Sequence, residues 1–133
     1  MDKSILLVDD EEGIRKVLSI TLSDLGYQVY TAENGVEALQ VFEAKRPPIV
    51  LTDIKMPEMD GLEATATIRT WERSKGHHVP IIAMTAHAMK SHRELCLEAG
   101  MDDYVSKPIR LKELLGKLQE VMNSARGKED HHP

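Results

Sequence analysis

Residues 5–12 read Ile5-Leu6-Leu7-Val8-Asp9-Asp10-Glu11-Glu12, a wholly apolar run that ends abruptly in four acids. Consecutive apolar residues bounded in this way suit a strand covered on both faces, as in a parallel sheet. Adjacent carboxylates at the C-terminal tip of such a strand can hold a hard divalent cation. A second run, Ile49-Val50-Leu51-Thr52, also ends in a carboxylate, Asp53. In open parallel α/β sheets, ligands bind in the crevice outside the carboxyl ends of the strands. Two neighbouring strands tipped by Asp9, Asp10 and Asp53 therefore predict one acidic pocket.

Outward from these runs the chain alternates strand and helix five times. Ile14, Val17, Leu18, Thr21, Leu22 and Leu25 fall at helical spacing, with Gly26 as the stop. Residues 28–32, with Val29, Tyr30 and Thr31, read as the second strand. Asn34 followed by Glu37 resembles a capping pair opening a helix through Leu39 and Phe42, closed before Pro47-Pro48. Residues 49–52 form the third strand. Asp60 and Glu63 make a second capping pair, starting a helix through Leu62, Ala66 and Ile68 toward Arg73. The polar stretch 74–78 leads into a fourth strand over 80–84. Residues 89–99 are helical by composition but carry a poor apolar stripe. Residues 103–106 give a fifth strand, and Leu111, Leu114, Leu115, Leu118 and Met122 define an amphipathic last helix. Strands separated by helices of these lengths imply right-handed βαβ crossovers and a parallel sheet. Residues 1–122 read as one domain, and the polar residues 123–133 as a tail or linker.

At 133 residues the chain is long enough to bury a core. Hydrophobic residues make up 41% and charged residues 29%, which excludes a disordered or fibrous character. The net charge of −5 and the absence of a basic run argue against nucleic-acid binding through this domain. A single cysteine, Cys96, rules out an internal disulfide and reads as a packing residue in a reducing compartment. No stretch approaches the roughly 20 apolar residues of a membrane span, and no signal peptide opens the chain. The expectation is a cytoplasmic protein with no membrane partner.

The chemistry concentrates at the strand tips: Asp9 and Asp10 at the first, Asp53 at the third, Thr85 at the fourth and Lys107 just beyond the fifth. Carboxylates together with backbone carbonyls and water are the ligand set that Mg²⁺ prefers. Lys107 can neutralise an anion, and Thr85 can donate a hydrogen bond to its oxygen. The set describes an oxyanion site beside Mg²⁺ and points to phosphoryl transfer with a carboxylate as nucleophile. Taken singly, each residue has a plainer reading. Acids such as those at 9–12 commonly open helices, Asp53 suits a bend before Met56-Pro57, and Tyr104 could be an ordinary strand residue. The combination is what carries the signal.

The set Val8-Asp9-Asp10, the run Thr52-Asp53-Ile54-Lys55-Met56-Pro57-Glu58-Met59-Asp60-Gly61, Met84-Thr85-Ala86 and Lys107-Pro108 resembles the receiver domain of response regulators in bacterial two-component and phosphorelay systems. The resemblance covers residues 4 to 122. Residues 82–89 and 99–104 are further similar to receivers of hybrid sensor histidine kinases. It implies a flavodoxin-like (βα)5 fold, doubly wound, with a five-stranded parallel sheet in order 2-1-3-4-5 and helices on both faces. Asp53 matches the phospho-accepting aspartate, which takes its phosphoryl group from a phosphohistidine on a sensor histidine kinase or a histidine phosphotransfer domain. Asp10 would ligate Mg²⁺, with Asp9 holding metal-bound water or assisting, and the backbone carbonyl of Lys55 would complete the protein's share of the shell. Thr85 and the Ala86 amide would bind phosphoryl oxygens, and Lys107 would pair with the group, its bond to Pro108 being cis as in the family. Thr85 would move toward the modified Asp53 and Tyr104 would turn inward, remodelling the surface formed by the helix over 89–99, the fifth strand and the last helix.

By the same resemblance, Lys55 and His87 would overlook the pocket, at positions where receivers tune attack by water. The resemblance also leaves room for a phosphorylation-dependent homodimer. It does not separate a stand-alone regulator from a receiver cut from a longer protein, and it describes a signalling switch that promotes its own phosphorylation and dephosphorylation rather than an enzyme. Aspartate-nucleophile phosphatases use a related set, but they place a second acid where Lys55 stands. Unphosphorylated receivers usually lack part of the set, and this chain lacks none.

Overall fold

A computed structural model describes residues 3–53, 61–75, 78–85, 94 and 96–130. The strands are β1 (Ser4–Val8), β2 (Gln28–Ala32), β3 (Ile49–Asp53), β4 (Ile81–Thr85) and β5 (Asp103–Ser106). They form one sheet in the order β2-β1-β3-β4-β5, and every described pairing is parallel. The helices are α1 (Glu12–Asp24), α2 (Gly35–Lys45), α3 (Gly61–Lys75) and α4 (Leu111–Asp130). The alternation implied a parallel sheet, and the strand order is that of the flavodoxin-like, doubly wound fold that the receiver resemblance implied.

The apolar runs became central strands because both of their faces are buried. β1, β3 and β4 are buried at every position. Alternate residues feed two separate cores. Ile5 and Leu7 of β1, Ile49 and Leu51 of β3 and Ile82 and Met84 of β4 pack with Leu18, Leu22, Leu114 and Leu118 on one side. Leu6, Val8, Val50, Ile81 and Ala83 pack with Ala38, Phe42, Ile68, Cys96 and Met101 on the other. Leu114 and Leu118 of α4 are fully enclosed, and burying each contributes about 1.5–3 kcal/mol. Leu111, expected on the same stripe, stands 41% exposed. The buried stripe thus begins one turn later, at Leu114. α4 runs on to Asp130 through the polar stretch expected as a tail, a segment with no proline before Pro133 to stop it.

Apart from the C-terminal end of α4, the expected boundaries of the described elements hold to within a residue or two. Gly26 adopts φ +96°, the left-handed turn that ends α1. The Asn34 side chain accepts the Glu37 amide at 2.8 Å and caps α2. β4 starts at Ile81 rather than Pro80, since proline has no amide to give the ladder. The Pro80 carbonyl still accepts Val50 N–H at 3.0 Å. Asp60, the expected cap of α3, lies outside the described residues, as does most of the helix read over 89–99. Of that segment, Cys96 is buried and Leu97 is 46% exposed.

A second polar cluster sits away from the acidic strand tips. Arg69 of α3 donates to the Gly100 carbonyl, the Val79 carbonyl, Glu72 and Asp102, all at 2.7–2.8 Å. Glu72 also accepts the Val79 amide, and Asp102 accepts the Ile81 amide at 2.8 Å. His78 meets Asp102 at 2.7 Å. This hub ties α3 to the starts of β4 and β5 through partly buried, mutually satisfied charges, of which Glu72 is the most enclosed. No helix among the described residues is long and apolar enough to cross a membrane.

Candidate functional site

Sheet register brings the predicted residues together. Val8 pairs with Thr52, so one step further Asp9 and Asp53 stand side by side at the tips of β1 and β3. Asp53 pairs with Met84 and Thr85 pairs with Ser106, which sets Thr85 and Lys107 at the neighbouring tips. The Lys107 amide donates to the Thr85 carbonyl at 2.7 Å, so the backbone itself fastens these two positions. The peptide bond from Lys107 to Pro108 is cis.

Asp9, Asp10 and Asp53 present ligating oxygens that all lie within 4.8 Å of one another. Asp9 is fully buried, Asp53 is 8% exposed, and Asp10 is open to solvent. Lys107 Nζ stands among them, 3.0 Å from Asp9 Oδ2, 3.2 Å from Asp53 Oδ2 and 3.7 Å from Glu11 Oε1. Burial alone would pull the Lys107 ammonium down, but its contact with Asp9 and the Coulombic pull of Asp53 and Asp9 outweigh that, and its pKa is raised. It is therefore fully protonated at neutral pH.

One ammonium does not balance this group. The carboxylates of Asp9, Asp53 and Glu11 face it, and Asp10 adds a fourth negative charge beside Asp9 and Asp53. Asp9 Oδ1 accepts the Glu11 amide at 3.0 Å. Asp9 Oδ2 is buried and rests on the Lys107 ammonium alone among the described residues. Clustered, hard, all-oxygen donors with surplus negative charge fit a small divalent cation.

The remaining expectations fall as follows. Thr85 is 4% exposed at the end of β4. Tyr104 is half-buried and packs against the core that contains Leu6, Val8 and Ala83. Lys55, Ala86 and His87 lie outside the described residues. His78 lies outside this group and meets Asp102 in the second cluster. Two contacts escaped the sequence. Glu11 reaches Lys107, and Arg15 Nη1 donates to the Asp9 carbonyl at 2.6 Å. The acid run and a basic residue one turn into α1 were the available signals for them.

A family model described as the response regulator receiver domain matches residues 5–119. The chain is 42% identical over 127 residues to hybrid signal transduction histidine kinase I of Dictyostelium discoideum, covering 92% of this chain and 7% of that protein. It is 38% identical over 130 residues to the response regulator MprA of Mycobacterium ulcerans, covering 98% of this chain and 54% of MprA. The chain thus spans about half, or much less, of these relatives. Among solved structures, the receiver domain of sensor histidine kinase PA1611 from Pseudomonas aeruginosa is 40% identical with a TM-score of 0.80, covering 90% of this chain and 97% of that one. That structure holds a magnesium ion coordinated in its active-site cleft. Chemotaxis protein CheY4 of Vibrio cholerae is 32% identical with a TM-score of 0.83, covering 91% and 99%. With its strand order, its acidic cluster and these matches, the chain belongs to the response regulator receiver domain family of two-component signalling.

Proposed function

We propose that this receiver accepts a phosphoryl group on Asp53 from a phosphohistidine of a sensor histidine kinase or histidine phosphotransfer domain, with Mg²⁺ as cofactor. The observation that carries the reading is Lys107 Nζ held between Asp9 and Asp53 in a pocket with surplus negative charge. An Asp53 carboxylate oxygen attacks phosphorus as the bond from phosphorus to the donor's imidazole nitrogen breaks, and that nitrogen keeps the electron pair. Mg²⁺, when bound, neutralises charge between the acids and the incoming phosphoryl oxygens. Asp9, Asp10, Asp53 and the Lys55 backbone carbonyl are the residues proposed to hold it.

Lys107 is already placed to exchange part of its pairing with Asp53 for pairing with the phosphoryl group. Thr85, at the adjacent tip, donates to a phosphoryl oxygen, as does the Ala86 amide. Its movement, together with rotation of Tyr104, alters the surface of β5, α4 and the segment 89–99. Lys55 and His87 set how readily water removes the phosphoryl group. The reading treats residues 1–122 as the receiver unit, leaves 123–133 as a linker or tail, and includes a phosphorylation-dependent homodimer.

The test is intact-protein mass after incubation with acetyl phosphate, with and without Mg²⁺, beside Asp53→Asn. Gain of one phosphoryl group that needs both Asp53 and Mg²⁺ is the expected result. No gain in folded protein, with a phosphohistidine donor also failing, would overturn the reading in favour of a binding module on the same fold.

A further inference from the structure

Arg15 lies in α1, six residues beyond Asp9. The ladder between β1 and β2 closes where the Asp9 amide donates to the Ala32 carbonyl at 3.1 Å. β2 ends at that residue, so the Asp9 carbonyl has passed the last strand position able to serve it. Arg15 Nη1 takes the place of the missing rung, donating to the Asp9 carbonyl at 2.6 Å, a short charge-assisted bond. Nη2 of the same group faces Glu33 Oε2 at 3.9 Å. The Arg15 side chain is 18% exposed and that of Glu33 is 60% exposed, so the bond to Asp9 is the sheltered one and the arm to Glu33 is a weak surface pair.

The same residue is fixed from other directions. The Asp9 amide is in the ladder, Oδ1 holds the Glu11 amide, and Oδ2 faces Lys107. Among the described residues, Arg15 is the one attachment to Asp9 contributed by a side chain that otherwise touches none of the pocket's carboxylates. We infer that Arg15 is a positioning residue for the cation site. By anchoring the end of β1, it holds the Asp9-Asp10 segment with both carboxylates aimed at Asp53 before any cation arrives. The inference rests on the metal-assisted reading above and extends it to a residue outside the pocket.

Groups that orient metal ligands from behind typically change metal affinity by about 10–100-fold when removed. Arg15→Met keeps the aliphatic stem and loses every donor, whereas Arg15→Lys keeps one donor within reach of the Asp9 carbonyl. Binding of Mn²⁺ alone is read by electron paramagnetic resonance, with circular dichroism confirming the fold of each variant. Arg15→Met should weaken Mn²⁺ binding about 10-fold, and Arg15→Lys should recover most of the loss. Phosphorylation by acetyl phosphate should need correspondingly more Mg²⁺ in Arg15→Met yet reach a similar rate at saturation, because Arg15 touches no reacting atom.

Wild-type affinity in Arg15→Met, or equal losses in Met and Lys variants, would overturn the role of Arg15 while leaving the phospho-acceptor reading intact. A wild-type protein that binds no Mn²⁺ overturns both. Should Arg15→Met fail to fold, Arg15→Gln, too short to reach the Asp9 carbonyl, is set against Glu33→Gln. Glu33→Gln leaves the bond to Asp9 and should bind like wild type, whereas Arg15→Gln should lose affinity about 10-fold; equal affinities in the two would refute the inference.

Discussion

Replacing Lys107 by Met keeps the length of the side chain and removes its charge, which isolates the role of that charge in the resting protein. At an effective dielectric of about 20, charges separated as Lys107 is from Asp9 and from Asp53 attract by about 5 kcal/mol each. The cost of drying the three groups cancels most of that gain, so what the substitution leaves behind decides the outcome. It leaves Asp9 and Asp53 with oxygens no more than 4.8 Å apart and no cation between them. At the same dielectric they repel by about 3.5 kcal/mol. Breaking a buried pair costs about 3–5 kcal/mol, and with Lys107 keeping 15% of its side chain in water the lower figure applies. A loss of about 3 kcal/mol corresponds to roughly 10 °C in Tm for a domain of this size.

The assay is urea and thermal unfolding in EDTA, followed by circular dichroism. Adding Asp53→Asn to Lys107→Met should recover about half of the loss, since one of the two facing charges is gone. Mg²⁺ should raise the Tm of Lys107→Met more than that of wild type, because the cation then fills a role the ammonium no longer performs. A Lys107→Met protein as stable as wild type in EDTA, or no recovery in the double variant, refutes Lys107 as the internal counter-ion of the pocket.

Three further outcomes are expected. Arg69→Met leaves Glu72, which is 5% exposed, with the Val79 amide and leaves Asp102 with the Ile81 amide and His78, and should cost about 2–3 kcal/mol in urea unfolding; a loss below 1 kcal/mol, on the order of a surface pair, would count against a partly buried hub. Gly100→Ala places a Cβ 3.1 Å from Arg69 Cγ at φ +103°. Left-handed backbone at a non-glycine residue costs roughly 1–2 kcal/mol, so its Tm should fall several degrees, and an unchanged Tm would contradict the strain. Burial pushes the Cys96 thiol up, so the native state keeps that proton to higher pH than the unfolded chain does. Its contribution to stability is intact below the ordinary thiol value of about 8.5 and is lost as pH climbs through the raised native value. Stability of Cys96→Ser should fall less steeply across that range, and a disulfide reagent should label Cys96 quickly only in denaturant.

What the sequence disclosed follows from how local the signals are. β1 and β3 are contiguous apolar runs ending in acid, so the strands and the carboxylates at their tips could be read together. Asn34 and Gly26 act within a few residues of themselves, and both devices appear where composition placed them. The Arg69 hub joins positions 31 and 33 residues apart, and no periodicity encodes a contact across that distance. Arg15 escaped for a related reason. Its partner is a backbone carbonyl, which has no residue type to recognise, freed only because β2 stops at Ala32.

The alternation of each strand between two cores has a consequence for how the domain tolerates change. Continuing the count, Asp9 and Asp53 fall in step with Ile5, Leu7, Ile49 and Leu51, on one side of the sheet. Thr85 falls in step with Ile81 and Ala83, on the side where Tyr104 packs. The sheet is therefore a partition, with the acids assigned to one room and the pair proposed to respond to them assigned to the other. Under the proposed function, a charge placed on Asp53 would meet Thr85 at the strand tips, beyond the edge of the packed layer. That assignment is a matter of parity. Deleting one residue from β4 would move Thr85 to the opposite side while exchanging the buried sets of the whole strand. Substitutions along these strands change the fit of a core, but a change of strand length rewrites which residues can meet at all.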